Sequence, residues 1–473
     1  MAEHSCDTLV IGSGPGGYVA AIRAAQLGQQ VVCVEKESWG GVCLNWGCIP
    51  TKALLYASTL LHEIKAAGDY GIKVSGISFD LAALRTKKES IVTQMTRGVE
   101  TLLKGNKATT LKGTVSFLSA NQAEVKTSAG TDLVRFKNAI VATGTEPSRL
   151  LFLPVDGDLV FTSKEALELR RTPKKIAILG AGAIGAEFAD IYRAFGSEVH
   201  LFEMMDEILP SLDKEAGKLL RQLFEKKGIK VYTATKVTDA AIKGKESVTL
   251  NFAPLANPNQ ISSLTVDAVL VAIGLKGYTE GLNLQKAGLV VDQKGFIKAD
   301  RQMRTSVANI YAIGDVAGGK LLAHKASHEG IVAAEAIAGK KSVMHYRVVP
   351  YAVFTDPEVA GVGLTEEEAT ADGIQLRIGK FPFRALGKAI GVSKTDGFVK
   401  ILADSDSGEV VGAHIIGSHA GDWIAELALA MEMNATAEDI AATIHVHPTM
   451  PEAVLEAALD AERRVIHIVK KYA

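Results

Sequence analysis

Two of the chain's four cysteines stand five positions apart in CLNWGCIPTK, which runs from Cys43 to Lys52. Thiols so spaced can staple a fold, supply half of a metal site or exchange electrons as a dithiol–disulfide pair, and spacing alone does not choose. In a regular helix, residues five apart point about 140° from each other and rise about 7.5 Å, outside disulfide reach. A bond between them needs an irregular turn, which Gly47 permits. Pro50 fits the first turn of a following helix, where its missing N–H costs little, and KALLYASTLLHEI continues that helix. Cys48 then sits near a helix N-terminus, where the dipole favours a thiolate. A zinc site needs two more ligands. Cys6 and Cys33 belong to strand-like stretches and form no second close pair, so no metal is expected; inert buried thiols are the other reading.

HVHPTMPE, residues 445–452, supplies candidate bases. Histidine titrates near neutrality, and oxidising a dithiol requires a group that removes a thiol proton. His445 and His447 are expected to point the same way on an extended segment, which Pro448 encourages. A metal reading of this pair finds no further ligand cluster. Thr449 and Glu452 have capping-box spacing ahead of EAVLEAALDAERRVI, so on sequence alone capping is the favoured role of Glu452.

The elements that must position these residues are written in a repeat. LVIGSGPGGYVAAIRAAQLGQQVVCVE, ending at Glu35, aligns without a gap on AILGAGAIGAEFADIYRAFGSEVHLFE, ending at Glu203. Gly12, Gly14 and Gly17 fall on Gly180, Gly182 and Gly185. Each copy predicts a buried strand, a GxGxxG turn, a helix and a second strand closed by an acid. The three glycines serve a tight turn, close approach to a pyrophosphate and close helix–strand packing; the helix N-terminus attracts the phosphates and the acid accepts ribose hydroxyls. One such motif could be an ordinary glycine-rich loop, but two complete copies predict two dinucleotide sites. Glu203 suits the free 2′-hydroxyl of NAD, and Met204, Met205, Asp206 and Glu207 bring no arginine for a 2′-phosphate, although a strand-end glutamate can also be merely solvated.

Three further strands end in glycine: AIVATGTEP (139–147), AVLVAIGLKG (268–277, with Gly274) and NIYAIGDVAGG (309–319, with Asp315). Asp315 could bind a polyol hydroxyl or make an Asx-turn. These junctions predict a first dinucleotide domain over 1–147, a second over 148–277, a return to the first over 278–345 and a separate α/β tail over 346–473. In that tail, strands are expected in YAVFTDPEVAGVGL, GFVKILAD and VVGAHIIG.

With 473 residues the chain is long enough for several cores. Its 52 basic and 53 acidic residues nearly cancel, which argues against nucleic-acid or anionic-membrane partners. No apolar run reaches the roughly 20 residues of a membrane span, and MAEHSCDTLVIGSGPGG has no signal-peptide pattern, so a cytoplasmic protein is expected. In such a compartment a catalytic disulfide is the more usual kind.

CLNWGCIPTK behind an N-terminal GxGxxG unit, with ATG, IYAIGD and HVHPT further on, resembles the flavoprotein disulfide reductases over essentially the whole chain, and within them the members that act on lipoyl groups. The resemblance implies FAD in the first unit, NAD in the second, and an α/β fold of two Rossmann-like domains with a C-terminal α+β dimerisation domain. It places Cys43 as the thiol that exchanges with substrate and Cys48 as the thiol beside the flavin. Lys52 matches the lysine near the flavin, and Glu187 its ion-pair partner. Gly12, Gly14, Gly17, Glu35, Gly113, Thr143, Gly144, Asp315, Leu321, Ala323 and His324 fall on flavin-contact positions; Gly180, Gly182, Gly185, Glu203 and Gly274 fall on NAD positions. Lys52 without the family would read as a solvated helix lysine. His447 resembles a base that acts on the disulfide of the other subunit, with Glu452 orienting it, which implies a homodimer. Met450 and Pro451 stand where Leu-Ser is commoner. The implied reaction oxidises dihydrolipoamide, carried on the lipoyl domain of a separate protein chain, and delivers the electrons to NAD. The rivals fit less well: glutathione-type reductases read NADP with arginines, mercuric reductases carry a C-terminal cysteine pair where this chain ends VKKYA, and a transhydrogenase would not need both thiols.

Overall fold

The computed structural model describes residues 2–472. Met1 and Ala473, the outermost residues of the first and last expected domains, lie outside them. Strand β1 (Glu3–Ile11), helix α1 (Pro15–Gln26) and strand β2 (Val31–Glu35) form the first repeat copy. β2 is buried along its whole length, as a strand flanked on both sides in a covered parallel sheet must be. Short helix α2 (Gly41–Trp46) and helix α3 (Cys48–Ala66) follow. Strands β3 (Thr109–Lys112), β4 (Thr114–Ser119), β5 (Gln122–Thr127) and β6 (Gly130–Val141) complete a sheet ordered β3-β2-β1-β6-β5-β4. The late strand Ile310–Ala312 returns to this sheet and pairs in parallel with the end of β6, so residues far apart in sequence close one core.

The second copy builds its own sheet. Strands Lys175–Leu179 and Glu198–Phe202 flank helix Ala183–Ala194, and Lys230–Tyr232, Ala268–Val271 and Val160–Phe161 pair in parallel around them. An antiparallel meander over 235–266 lies beside it. A two-stranded ribbon, Thr145–Pro147 against Leu275–Gly277, carries the chain out to this unit and back. In both copies the third glycine has no substitute: a Cβ at Gly17 would lie 1.9 Å from the Gly12 carbonyl oxygen, and one at Gly185 would lie 1.8 Å from that of Gly180.

The tail forms a five-stranded antiparallel sheet ordered Tyr351–Val353, Glu358–Gly363, Val410–Gly417, Phe398–Asp404 and Leu376–Pro382. Helices Ala420–Glu432, Ala437–Ala442 and Glu452–Ala461 pack on it around a core that includes Trp423, Leu427 and Val454. The edge strand LRIGKFP was not anticipated, because its apolar residues alternate with charge too weakly to stand out. The last helix ends at Ala461, short of the apolar period that reaches Ile466. Arg463 takes a φ of +58°, and Glu456 turns back to accept the N–H groups of Ile466 and His467, which stops the helix. Among the described residues no helix is long and apolar enough to cross a membrane.

Candidate active site

The irregular turn expected between the cysteines is present. Gly47, at φ −141° and ψ −118°, separates α2 from α3. A side chain there would crowd the Val42 carbonyl at 2.9 Å, so the break is written for glycine. Asn45 Nδ2 donates to the carbonyls of Trp39 and Gly41, and Thr51 Oγ1 donates to that of Gly47, fixing the turn from both sides. Cys43 lies in α2 and Cys48 opens α3; both are free thiols and neither is fully buried. They share a hydrogen bond. That bond, then burial, push the Cys43 thiol up, while the same bond draws Cys48 below its ordinary value. Burial opposes the shift at Cys48, and the Lys52 ammonium one turn along reinforces it. The pair is chemically unequal, with the thiolate favoured at Cys48.

Both thiols line a cleft of about 1200 Å³, counted out to its mouth, that also receives the first glycine turn. Of the expected flavin positions, Gly12, Gly14, Glu35, Gly113, Thr143, Gly144, Asp315, Leu321 and Ala323 line the cleft. Gly17 packs α1 against the turn instead, Lys52 points to Glu187, and the His324 ring is engaged with the Pro350 carbonyl at 2.7 Å. The N-terminus of α1 has no side-chain cap and Pro15 at its first position. Gly14 has open space where a Cβ would project, leaving the backbone bare to the cleft. Burial pushes the Asp315 carboxyl up, against the opposing Lys325 charge and a hydrogen bond from Thr145.

Lys52 Nζ donates to both oxygens of Glu187, at 2.9 and 3.0 Å, and sits 4.3 Å above the Phe354 ring. Glu187 is buried in helix Ala183–Ala194 and also accepts the Phe354 N–H at 3.0 Å. Three regions therefore meet on one carboxylate: the cysteine helix, the second dinucleotide unit and the tail.

In the second unit the Glu203 carboxylate accepts the N–H groups of Ala181, inside the glycine turn, and Met205. Gly180 has a φ of +96°; Gly182 and Gly274 both face open space. Gly180, Gly182, Glu203 and Gly274 thus frame one partly exposed strand-end turn, while Gly185 is buried and packs the helix against it.

The histidines do not act as a matched pair. The His445 ring is largely buried, with Nε2 on Glu426 and Nδ1 on the Thr443 carbonyl; the bond to Glu426 raises its pKa. The His447 ring is 78% exposed, its Nδ1 lies 2.8 Å from Glu452 Oε1, and its peptide bond to Pro448 is cis. The capping-box expectation for Glu452 is corrected by half: Glu452 Oε2 accepts the Thr449 N–H at 2.8 Å, but Thr449 Oγ1 turns away to the Val446 carbonyl. Burial pushes the Glu452 carboxyl up, and the hydrogen bonds from Thr449 and His447 outweigh it and hold the carboxyl low. One carboxylate thus meets both the Thr449 N–H and the His447 ring just where the helix begins. Neither His447 nor Glu452 lines the cleft of its own chain.

The family model described as pyridine nucleotide-disulphide oxidoreductase matches residues 6–330, and that family's dimerisation domain matches 349–458. The chain belongs to the pyridine nucleotide-disulphide oxidoreductase family. Dihydrolipoyl dehydrogenase of Geobacillus stearothermophilus is 45% identical over 98% of both chains. The mitochondrial dihydrolipoyl dehydrogenase of Pisum sativum is 42% identical over 98% of this chain and 92% of that one. Among solved structures, LpdA from Mycobacterium tuberculosis superposes with a TM-score of 0.89 at 25% identity, covering 97% of this chain and 100% of that one. The two Rossmann-like domains with a C-terminal dimerisation domain are those of this oxidoreductase family, and its cofactors are FAD and NAD. The first cleft fits FAD on this chain's own features: an uncapped helix N-terminus, a bare glycine turn and a redox-capable thiol pair on one wall.

Other residues of this disulphide oxidoreductase site carry no sequence signal of their own. Ser13 ties Glu35 to the turn through its N–H and hydroxyl. Tyr278 lines the cleft, its carbonyl accepts the Thr143 hydroxyl at 2.6 Å, and Lys36 Nζ sits 3.5 Å above its ring. Phe354 reaches Glu187 from another domain. Only the depth of the strand–glycine junctions hinted that such neighbours would gather there.

Proposed function

We infer that the protein is a dihydrolipoyl dehydrogenase, oxidising dihydrolipoamide on a separate lipoylated carrier and passing the electrons to NAD. The observation that carries this reading is the placement of two coupled, unequal thiols on the wall of the first dinucleotide cleft, with Lys52 and Glu187 behind them.

Cys43 meets the substrate and Cys48 faces the flavin. Starting from the Cys43–Cys48 disulfide, a substrate thiolate attacks Cys43 Sγ and displaces Cys48 as a thiolate, which the hydrogen bond from Cys43 and the charge of Lys52 favour. The second substrate thiol closes the lipoyl disulfide and releases Cys43 as a thiol. Two protons and two electrons leave the substrate and one disulfide is reduced. FAD, held in the first cleft by Gly12, Gly14, Glu35 and Asp315, would supply the two-electron acceptor for the reduced cysteines, with NAD as the final acceptor. His447, oriented by Glu452, accepts the first substrate proton, and the second passes to the departing Cys43 sulfur.

Because His447 is exposed and outside its own chain's cleft, it serves the cleft of a second copy, and the working unit is a homodimer through the tail. The dimerisation-domain match supports this, as do the apolar Ile444 and Val446 beside His447, 95% and 74% exposed. Glu203, Gly180, Gly182, Gly185 and Gly274 hold NAD, with the carboxylate on the 2′-hydroxyl. Domain limits at 147/148, 277/278 and 345/346 follow the connecting ribbon and the start of the tail. A cytoplasmic setting agrees with two free buried thiols, Cys6 and Cys33, in the strands of the first unit.

Turnover of dihydrolipoamide with NAD, measured beside turnover of glutathione disulfide with NADPH, tests the reading. The first pair is expected to be used and the second not; the reverse result removes it.

A further inference from the structure

The Gly314–Ala317 turn brings Asp315 to the cleft on a single 3-10 turn closed by the Gly318 N–H on the Asp315 carbonyl at 3.0 Å. Gly314 and Gly318 both take left-handed φ values, +69° and +78°. Both ends of the turn are gripped by a buried cluster behind it, on helix Ala323–Ile337. Glu329, 1% exposed, accepts the Gly314 N–H on Oε2 at 2.7 Å. Its Oε1 accepts Lys325 Nζ at 2.9 Å and the Tyr346 hydroxyl at 2.8 Å. Lys325, 3% exposed, also donates to the Gly318 carbonyl at 3.0 Å, so the ion pair grips both ends of the turn.

Tyr346 belongs to the segment that leads into the dimerisation domain, and that segment is itself pinned. The Met344 N–H donates to the Arg301 carbonyl, Arg301 Nε donates back to the Met344 carbonyl, and the guanidinium meets the His345 ring. Leaving a buried ion pair without one partner is costly, so the cluster has one well-defined arrangement. Neither Lys325, Glu329 nor Tyr346 lines the cleft, and none of them touches the thiols.

We propose that Glu329, held between Lys325 and Tyr346, is a positioning residue for the FAD site: it sets the Gly314 amide and the Asp315 carboxylate and ties that turn to the segment entering the dimerisation domain. Flavin retention and the seating of that segment are then coupled through one carboxylate. This rests on the reading of the first cleft as the FAD site.

The test prepares apoprotein from wild type, Tyr346→Phe, Glu329→Gln and Lys325→Met/Glu329→Gln, and titrates each with FAD. The flavin midpoint potential and visible spectrum of the reloaded proteins, and the thermal midpoint of each apoprotein, are measured in parallel. Tyr346→Phe keeps the ring and removes one hydrogen bond; it is expected to weaken FAD binding about threefold to tenfold and to shift the flavin spectrum. Glu329→Gln strands the Lys325 charge and is expected to weaken FAD binding more. The double variant, neutral but still able to accept the Gly314 N–H, is expected to recover most of that loss. Wild-type apoprotein that fails to take up FAD would refute the cleft assignment itself. Wild-type protein that binds FAD, beside a Tyr346→Phe variant with unchanged FAD affinity, spectrum and potential, would overturn the positioning role even if thermal midpoints fell.

Discussion

The glycine turns at Gly12–Gly17 and Gly180–Gly185 are near copies in backbone, with φ of +98° at Gly12 and +96° at Gly180 and the same close contact at the third glycine. Their surroundings differ. Glu35 accepts four protein donors: the N–H and hydroxyl of Ser13 and the N–H groups of Glu37 and Ser38. Glu203 accepts two, leaving about half of a carboxylate's four acceptor positions for a ligand. The first turn is roofed by the cysteine segment and by the returning 313–326 stretch, whereas Met204 and Met205 beside the second are more than half exposed. With the first turn proposed for FAD and the second for NAD, the difference in cover matches a retained cofactor against an exchanging one: distant chain folds over the first turn, and the second is left more open.

The largest expected effect breaks the comparison at the level of whole units. The second unit is clamped to the tail by Lys400, buried in strand Phe398–Asp404, which meets Asp213, Glu215 and Glu366 at 3.0, 3.0 and 2.7 Å. Lys400→Met strands the buried Asp213 carboxylate and is expected to cost about 3–5 kcal/mol in unfolding, read by denaturant titration, with the second unit released before the flavin. The clamp also has a pH signature. Burial pushes Asp213 up, but nearby His414 and Lys400 hold it low overall, and the three carboxylates raise Lys400 against its own burial. Asp213 therefore adds stability that is fully present above its unfolded value near 3.9 and lost as pH falls through its lower folded value. Lys400 adds stability present below about 10.4 and lost as pH rises through its higher folded value.

A medium effect separates the two turns. Gly17→Ala and Gly185→Ala each force a methyl into a backbone carbonyl, at about 1–3 kcal/mol, or roughly 5- to 150-fold in affinity. Flavin absorbance per protein is expected to fall for the first variant only. Binding of NADH, followed by fluorescence, is expected to fall for the second while its flavin is retained. The smallest effect sharpens the ligand reading: Glu203→Gln keeps an acceptor but removes charge, about 1 kcal/mol, so the KM for NAD is expected to rise about fivefold with FAD content unchanged.

Both turns were legible in the sequence because their tightest constraint is local: the third glycine of each answers to the carbonyl of the first, five residues away, while the first glycines meet the distant Ala142 and Ala272 carbonyls. The break at Gly47 was legible for the same reason. The double duty of Glu452 was not, since a capping box and a histidine partner share one spacing and only the direction of the Thr449 hydroxyl tells them apart. Lys52 and Glu187 lie 135 positions apart, and their pairing came from family resemblance, not from any local pattern. The Phe354 N–H on Glu187 and the Tyr346 hydroxyl on Glu329 had no sequence signal, because a backbone donor or a tyrosine at long range leaves no periodicity.

The most direct measurement is turnover of dihydrolipoamide with NAD by FAD-loaded wild type, Cys43→Ser and Cys48→Ser, with flavin content checked for each. Each serine variant is expected to keep its FAD and lose turnover by at least about a thousandfold. Wild-type turnover in either variant would contradict the assignment of Cys43 and Cys48 as the working pair.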